Sequence, residues 1–124
     1  MRLLLDTQVM LWWLLGDQRL RRETRELMAA TACMISVASI WEVAIKHRIG
    51  KLSINPVTFR DHSLAVGGAL LEIKDAHAIE TAKLPGIHED PFDRLIIAQA
   101  RVEGVAVVSS DTRWSEYSVA LHRP

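Results

Sequence analysis

The stretch LLLDTQVMLWWLL, at residues 3–15, sets the pattern of the whole chain. Three leucines form a short apolar run typical of a buried strand, and Asp6 and Thr7 interrupt that run. The apolar residues that follow are typical of a helix, which Gly16 is expected to end. The stretch therefore predicts a strand, a turn and a helix, with a carboxylate at the turn.

The same alternation of short apolar runs and helical segments continues along the chain. Further strands are predicted at residues 33–36, 70–73 and 105–109, with an edge strand at 119–121. Helices are predicted at 21–31, 37–49, 55–67, 75–83 and 90–103, two of them opened by Asn or Asp before Pro. Short strands that alternate with helices predict an α/β fold, with a mainly parallel sheet of four or five strands and helices on both faces.

Composition limits the size and the class of the protein. With 124 residues, 49% of them apolar and 24% charged, the chain is predicted to form one domain over residues 1–124. Fifteen basic residues balance fifteen acidic ones, so the chain lacks the broad positive field of a protein that holds nucleic acid by phosphate contacts alone. Any polyanionic substrate would need metal ions or a few well-placed Arg and Lys residues.

The compartment is predicted from the same composition. Cys33 is the single cysteine and lies in an apolar run, which excludes an internal disulfide and suits a reducing compartment. Asp6 interrupts the first apolar run, and residues 9–15 are too few to cross a bilayer. A cytoplasmic protein without a membrane segment is therefore expected.

Four acidic residues stand where predicted strands end or helices begin or turn: Asp6, Glu42, Asp93 and Asp111. Asp6 and Asp111 each follow a strand, and ligands of parallel sheets bind beyond the carboxyl ends of the strands. Carboxylates held a few ångströms apart raise one another's pKa values or require a counter-ion. If the fold gathers these four side chains, they indicate a site for a divalent metal ion.

Each of these acids also has a structural explanation. Asp6 and Asp111 suit helix caps, and Glu42 suits a surface ion pair with Lys46, four residues further along a helix. Asp93 lies on a largely apolar helix, where a carboxylate needs a partner or a cation, although a first-turn position favoured by the helix dipole is the alternative. If these explanations were complete, the chain would be a non-catalytic α/β protein-binding module.

Other polar residues are predicted to support a site. Thr7 is either a second cap or a hydroxyl group that orients the first carboxylate, and Asp90 is the cap of the helix that carries Asp93. Gln99 lies inside an apolar arc, so its amide needs a hydrogen-bond partner and is predicted to brace the site. Ser110 is predicted to hold the water shell of the ion.

Histidines and tryptophans are given structural or surface roles. The five histidines show neither the spacing nor the cysteine partners of a zinc site, which predicts surface or loop positions. The four tryptophans, at positions 12, 13, 41 and 114, are predicted to lie in the core or to contact a partner. On the helix of residues 37–49, a helical wheel groups the apolar side chains on one arc and puts Glu42 at its edge, neither buried nor clearly exposed.

Four segments resemble the PIN-domain ribonucleases and, within them, the VapC toxins of bacterial and archaeal toxin–antitoxin pairs. The segments are LLDT at 4–7, SIWEVAIK at 39–46, DPFDRLIIAQA at 90–100 and VSSD at 108–111. The resemblance implies a PIN-like three-layer α/β/α fold, in which Asp6, Glu42, Asp93 and Asp111 bind Mg²⁺ or Mn²⁺. It also implies an endoribonuclease toxin, since such ions can activate water against an RNA phosphodiester without a protein nucleophile.

The resemblance further implies partners. Toxins of this kind are usually homodimers, and a small antitoxin holds them inactive by covering the acidic groove with its tail. Lys46 and Arg94 are predicted contacts to the RNA. The apolar first helix, with Trp12 and Trp13, is predicted to be a docking surface for one of the protein partners.

Overall fold

A five-stranded parallel sheet in the order β3-β2-β1-β4-β5 organises the protein. The computed structural model describes residues 1–124, and each pair of neighbouring strands runs parallel. The strands are β1 Arg2–Leu5, β2 Ala32–Ser36, β3 Ala69–Leu71, β4 Ala106–Val108 and β5 Leu121–His122. The helices are α1 Thr7–Leu15, α2 Arg22–Ala29, α3 Val37–Arg48, α4 Pro56–Ala65, α5 Asp75–Glu80 and α6 Pro91–Glu103, with 3₁₀ turns at Thr81–Lys83 and Thr112–Tyr117. The predicted three-layer α/β/α fold is confirmed.

The leucines of β1 show how one strand serves two cores. Leu3 and Leu5 join a core that also contains Val9 of α1, whereas Leu4 joins a second core with Ile96 of α6. All are fully buried, because successive side chains of a strand point to opposite faces and both faces of this sheet are covered by helices. None of the helices combines the length and the apolar character needed to cross a membrane.

Two helices begin as their Asx-Pro pairs predict. The Asn55 side chain accepts a hydrogen bond of 2.8 Å from the Thr58 N–H, and Pro56 is the first residue of α4. The Asp90 side chain accepts from the N–H groups of Phe92 and Asp93 at the start of α6. These caps satisfy backbone donors that have no partner within the helix.

Two strands, β3 and β4, are shorter than predicted. β3 ends at Leu71, opposite Ser36, because β2 ends there and leaves residues 72 and 73 without a strand to pair with. β4 begins at Ala106, because the Val105 N–H instead donates to the Ala100 carbonyl at 3.1 Å and closes α6. Similarly, α5 ends at Glu80 and the predicted helix continues only as a 3₁₀ turn.

Two sequence interpretations of side-chain burial are wrong. His77 lies in α5 with 0% of its surface exposed, so it is neither a surface nor a loop residue; His88 does lie in a loop, before α6, but it is buried at 6% exposure. Trp12 is also buried, at 7% exposure, within the core beneath α1, and Trp13 packs against that core. The first helix therefore cannot present the pair of tryptophans as a docking surface.

The inward face of α3 is not its most apolar face. Glu42 is buried, at 7% exposure, on the same side of the helix as Ala38 and Val43, whereas Trp41 is 57% exposed. The apolar arc continues outward through Ile45 and Ile49, both of which are exposed. The wheel placed Glu42 at the edge of the arc; packing against the sheet turns Glu42 inward and leaves the arc at the surface.

Candidate metal centre

The sheet order creates a crevice beside β1. β1 is followed in the chain by β2 on one side, whereas its other neighbour β4 is followed by β5 on the far side, so the connections after β1 and β4 leave the sheet edge in opposite directions. Such a switch point is where open α/β sheets bind ligands. Asp6 follows β1 directly, its N–H donates to the Val108 carbonyl of β4 at 2.9 Å, and Asp111 lies just beyond β4.

The structure brings the four predicted acids, Asp6, Glu42, Asp93 and Asp111, to one cleft of about 220 Å³ at this crevice. Asp6 lies at the end of β1 and Glu42 in the middle of α3. Asp93 lies in the first turn of α6, and Asp111 lies in the loop after β4. Six further residues complete the lining: Thr7, Gln8, Leu11, Lys46, Leu52 and Asp90. Acids that are far apart along the chain thus share one polar cavity.

Asp6 and Asp93 are the two central acids of the cleft, and neither has a cationic partner. Burial raises the pKa of Asp6 to about 6, with the Glu42 charge adding to the increase and the hydrogen bond from Ser109 opposing it. Burial likewise raises the pKa of Asp93 to about 7, and the nearby charges of Asp6, Asp90, Glu42 and Asp111 add to it. Desolvation and like charge both disfavour the ionised form, so these two side chains would gain most from a bound cation.

Glu42 and Asp111 already have cationic partners at the rims of the cleft. Lys46 Nζ lies 2.7 Å from Glu42 Oε2, which is the predicted ion pair. The Arg113 guanidinium holds Asp111 with two contacts, 3.1 Å from Nε to Oδ1 and 2.9 Å from Nη2 to Oδ2, and this lowers the pKa of Asp111. Lys46 and Arg113 therefore offset the outer acids and leave the central two unpaired.

Ser109 is a site residue that the sequence reasoning missed. Its hydroxyl donates to Asp6 Oδ2 at 2.8 Å and accepts from the Asp111 N–H at 3.1 Å, so one buried side chain ties the two strand-end acids together. The sequence could have indicated this role, because Ser109 directly follows β4 at the sheet edge where ligands bind. The neighbouring Ser110 is exposed, and its contact with the ion's water shell stays a prediction.

We expect Ser109→Ala to weaken divalent-cation binding by roughly tenfold, because residues that orient a metal-binding carboxylate typically contribute 10- to 100-fold in affinity. Isothermal titration calorimetry with Mn²⁺ would measure the change. Ser53→Ala, a change at an exposed serine in the loop between α3 and α4, is the matched control and should bind Mn²⁺ as the wild type does. Equal affinity of Ser109→Ala and the wild type would show that Ser109 does not position Asp6.

The other predicted supporting residues divide into two groups. Thr7 and Asp90 line the cleft; the Thr7 hydroxyl donates to Ser39 Oγ at 2.7 Å and links α1 to α3, and Asp90 caps α6. Gln99 does not brace the site, because its amide donates to the Glu72 carbonyl at 3.2 Å, away from the cleft.

Arg94 is likewise turned away from the cleft. Its guanidinium donates to four backbone carbonyls, those of Thr81, Leu84, Pro85 and His88. These bonds use the donors of the side chain to hold the loop before α6. The geometry therefore indicates that Arg94 supports this loop and does not make the predicted contact with the substrate.

The donor set of the cleft fits a hard divalent cation. Glu42 Oε1 is buried without any hydrogen-bond partner, although Oε2 of the same carboxylate is paired with Lys46. A buried, unpartnered carboxylate oxygen is costly and calls for a bound ion or water. Carboxylate oxygens are the ligands that Mg²⁺ and Mn²⁺ prefer, and the rest of the coordination shell would be water.

Comparison with known proteins identifies the fold. Similar solved structures include VapBC2 from Rickettsia felis bound to a DNA fragment from its promoter, with 16% identity, coverage of 99% of this chain and 98% of that chain, and a TM-score of 0.78. DNA-bound VapBC from Salmonella typhimurium has 19% identity, coverage of 99% and 98%, and a TM-score of 0.73. VapC20 from Mycobacterium tuberculosis, described as a Sarcin-Ricin loop cleaving toxin, has 18% identity, coverage of 98% and 99%, and a TM-score of 0.64.

At these identities the structural likeness shows the fold alone, and no curated protein sequence matches the chain. The sequence itself carries the family assignment, because the family model described as PIN domain matches residues 3–120, nearly the full length. The matched region contains all four acids of the cleft. The chain therefore belongs to the PIN domain family.

Proposed function

We propose that this protein is a divalent-metal-dependent endoribonuclease of the VapC toxin type, which cleaves RNA phosphodiester bonds and is neutralised by a cognate antitoxin. The observation that carries the proposal is the cleft in which Asp6, Glu42, Asp93 and Asp111 meet with Asp6 and Asp93 left without a cationic partner. Support comes from the similar fold of VapC20, a toxin described as cleaving the Sarcin-Ricin loop.

In this proposal Asp6, Glu42, Asp93 and Asp111 would hold the ion, which is Mg²⁺ or Mn²⁺. When bound, such an ion activates a water molecule and stabilises the leaving oxygen of the phosphodiester. Ser109 keeps Asp6 oriented, and Thr7 fixes α1 against α3 through Ser39. Because the cation and its water supply the chemistry, no side chain of the chain is needed as a nucleophile.

Substrate binding must overcome the negative charge of the cleft. The chain has no net charge, so phosphate contacts depend on local cations. Lys46 is suited to this role: its side chain is 46% exposed at the cleft rim, and an ammonium group that donates to Glu42 retains two further donors. Arg113, which pairs with Asp111 of the cleft and has a side chain 58% exposed, is the second such cation.

The outward face of α3 is the proposed antitoxin contact. Trp41 packs edge-on against Phe92, with ring centroids 5.0 Å apart, and Phe92 is the neighbour of Asp93. The exposed arc of Trp41, Ile45 and Ile49 therefore leads to the acidic cleft. A partner that covers the cleft could bury this arc, and the complexes of similar fold are toxin–antitoxin pairs.

We expect Trp41→Ser to weaken antitoxin binding by about 2 kcal/mol, roughly thirtyfold, as is typical when an aromatic anchor of an interface is removed. The measurement is the dissociation constant for the cognate antitoxin, to be sought in the neighbouring reading frame. Ile79→Ser, a change at an exposed apolar residue of α5, is the control. If the two variants bind equally well, α3 is not the contact.

A homodimer is the remaining part of the partner proposal. Val57 and Leu64 are exposed and seven residues apart on α4, so they share one face of that helix, and the exposed Val66 follows it. An apolar helix face of this kind is suited to a second copy of the chain. Sedimentation of the chain alone would report the dimer directly.

The test of the proposed activity is incubation with transfer, ribosomal and messenger RNAs, with Mn²⁺ or with a chelator. Metal-dependent cleavage of at least one RNA is expected. The alternative, a non-catalytic binding module, has some support because Asp90 and Asp111 do cap their helices and Glu42 does pair with Lys46. That alternative expects no Mn²⁺ binding in calorimetry, whereas the nuclease proposal expects a site lost in Asp6→Asn.

A further inference from the structure

His88 is a buried histidine that is held in place on all sides at the edge of the acidic cleft. Its ring stacks on Tyr117, with centroids 5.8 Å apart and planes within 3° of parallel. Its backbone N–H donates to the Tyr117 hydroxyl, and its carbonyl accepts from Arg94 Nη1 at 3.1 Å. With only 6% of its surface exposed, this imidazole has a fixed position.

The Nε2 atom of this ring has no hydrogen-bond partner. It lies 3.1 Å from Asp111 Oδ2, but the two atoms are not aligned for a hydrogen bond, and Nε2 is left buried and unpaired. Buried polar atoms without a partner are rare and call for an explanation. A second acid lies near the ring, because a ring nitrogen of His88 and one carboxylate oxygen each of Asp93 and Asp111 all lie within 4.8 Å of one another.

We propose that His88, Asp93 and Asp111 form a second cation position in the cleft, in which the imidazole nitrogen selects Mn²⁺ over Mg²⁺. The proposal rests on the metal-dependent function above and adds to it a position next to that of Asp6 and Glu42, with Asp93 shared between the two. Nitrogen and carboxylate ligands bind first-row metals at about 2.0–2.2 Å, so three ligand atoms must lie within about 4.3 Å of one another. Side-chain shifts of a few tenths of an ångström would meet that limit.

The ligand set decides the metal. An all-carboxylate site suits Mg²⁺, which takes oxygen ligands and keeps its waters. An imidazole nitrogen is a poor ligand for Mg²⁺, whereas Mn²⁺, a first-row transition metal, takes a nitrogen ligand in addition to the carboxylates that both ions bind. The position at His88 therefore differs in chemistry from the position at Asp6 and Glu42, although the two are adjacent.

Arg113 would compete with the second ion for the carboxylate of Asp111. It holds Asp111 by both carboxylate oxygens, and its side chain is 58% exposed, so it can rotate into solvent when a cation takes its place. Removal of this guanidinium should leave Asp111 free for the metal. Arg113→Gln is accordingly expected to bind Mn²⁺ about tenfold more tightly than the wild type.

The deciding experiment uses the wild-type protein with Mn²⁺ as the probe. Pulsed electron paramagnetic resonance of the Mn²⁺ complex should show coupling to a histidine nitrogen, which changes from the ¹⁴N to the ¹⁵N pattern when the protein is made with ¹⁵N-labelled histidine. In calorimetry, His88→Gln should lose about tenfold in Mn²⁺ affinity and keep its Mg²⁺ affinity. His62→Gln, an exposed histidine on α4, is the control and should match the wild type.

Two results would overturn the inference: a Mn²⁺ complex without nitrogen coupling, or an unchanged Mn²⁺ affinity in His88→Gln. A purely orienting role of His88 toward Asp111 would lower affinity without nitrogen coupling, so the labelled wild-type spectrum separates a ligand from a positioning residue. If Mg²⁺ still binds in these cases and is lost in Asp6→Asn, the proposed function stands and only the second position fails. If neither ion binds the wild type, the proposed function fails as well.

Discussion

Asp93→Asn is expected to lower the rate of metal-dependent RNA cleavage by about three orders of magnitude or more, the scale on which loss of a principal electrostatic group reduces turnover. Asp93 faces the charges of Asp6, Glu42 and Asp111, and of the acids that line the cleft it has the pKa raised furthest, to about 7. The neutral amide removes the charge that a cation between these groups would bind. The measurement is single-turnover cleavage with saturating Mn²⁺.

The same variant should remain folded. Asp93 makes no hydrogen bond or ion pair through its side chain, so the amide breaks no structural contact and relieves repulsion within the cleft. Circular dichroism and the melting temperature would verify this. Asp61→Asn, an exposed acid paired with Arg60 on α4, is the matched control and should cleave at the wild-type rate. Turnover retained in Asp93→Asn would show that this acid is structural and would remove the basis of the proposed mechanism.

The sequence predicts the fold well because the signals are local. Short apolar runs ended by Asp or Ser, helices opened by Asx-Pro pairs and a Gly after α6 each depend on backbone chemistry that acts within a few residues. The positions of Asp6 and Asp111 follow from them, since parallel strands bring their carboxyl ends to one edge. Strand lengths depend on the partner strand, which is why β3 and β4 were predicted too long.

The parts of the site that were missed depend on contacts between distant segments. The helical wheel of α3 counts apolar side chains, but the packing of the helix turns Glu42 inward and leaves Trp41 outside. His88 is buried only because Tyr117, far along the chain, stacks on it and receives its backbone hydrogen bond. Ser109 matters because it reaches from the end of β4 to Asp6 at the end of the neighbouring strand β1. Sequence spacing carries no information about such contacts.

The metal-free protein is expected to lose stability as the pH rises from about 5 to 7.5. In the unfolded chain the carboxyl groups of Asp6 and Asp93 titrate near 3.8, whereas in the folded protein their pKa values are about 6 and about 7. Between these values the folded state binds more protons than the unfolded state, so the free energy of unfolding falls as the pH rises. Asp17 and Asp111, whose pKa values are lowered, add stability with rising pH only below this range.

The size of this pH effect can be bounded. One pKa unit corresponds to about 1.4 kcal/mol in the free energy of unfolding. Partial solvent access and coupling between Asp6 and Asp93 reduce their combined effect to roughly 2 kcal/mol. For a domain of this size, that loss lowers the melting temperature by about 8 °C. Thermal melts in chelator across this pH range would measure it. Asp93→Asn should give a flatter profile and a higher melting temperature at pH 7.5, because its amide does not ionise.

A bound cation is expected to offset the loss of stability that the metal-free protein shows at higher pH. At a Mn²⁺ concentration of about 100 times its dissociation constant, mass action stabilises the folded state by about 2.7 kcal/mol, which offsets the cost of ionising both acids at pH 7.5. Because Mn²⁺ displaces protons from Asp6 and Asp93, its stabilising effect should grow as the pH rises toward 7.5 and shrink near pH 5. A melting temperature that is independent of pH in chelator, or a Mn²⁺ effect equal at pH 5 and 7.5, would mean that these two acids are not held close together and charged in the folded protein.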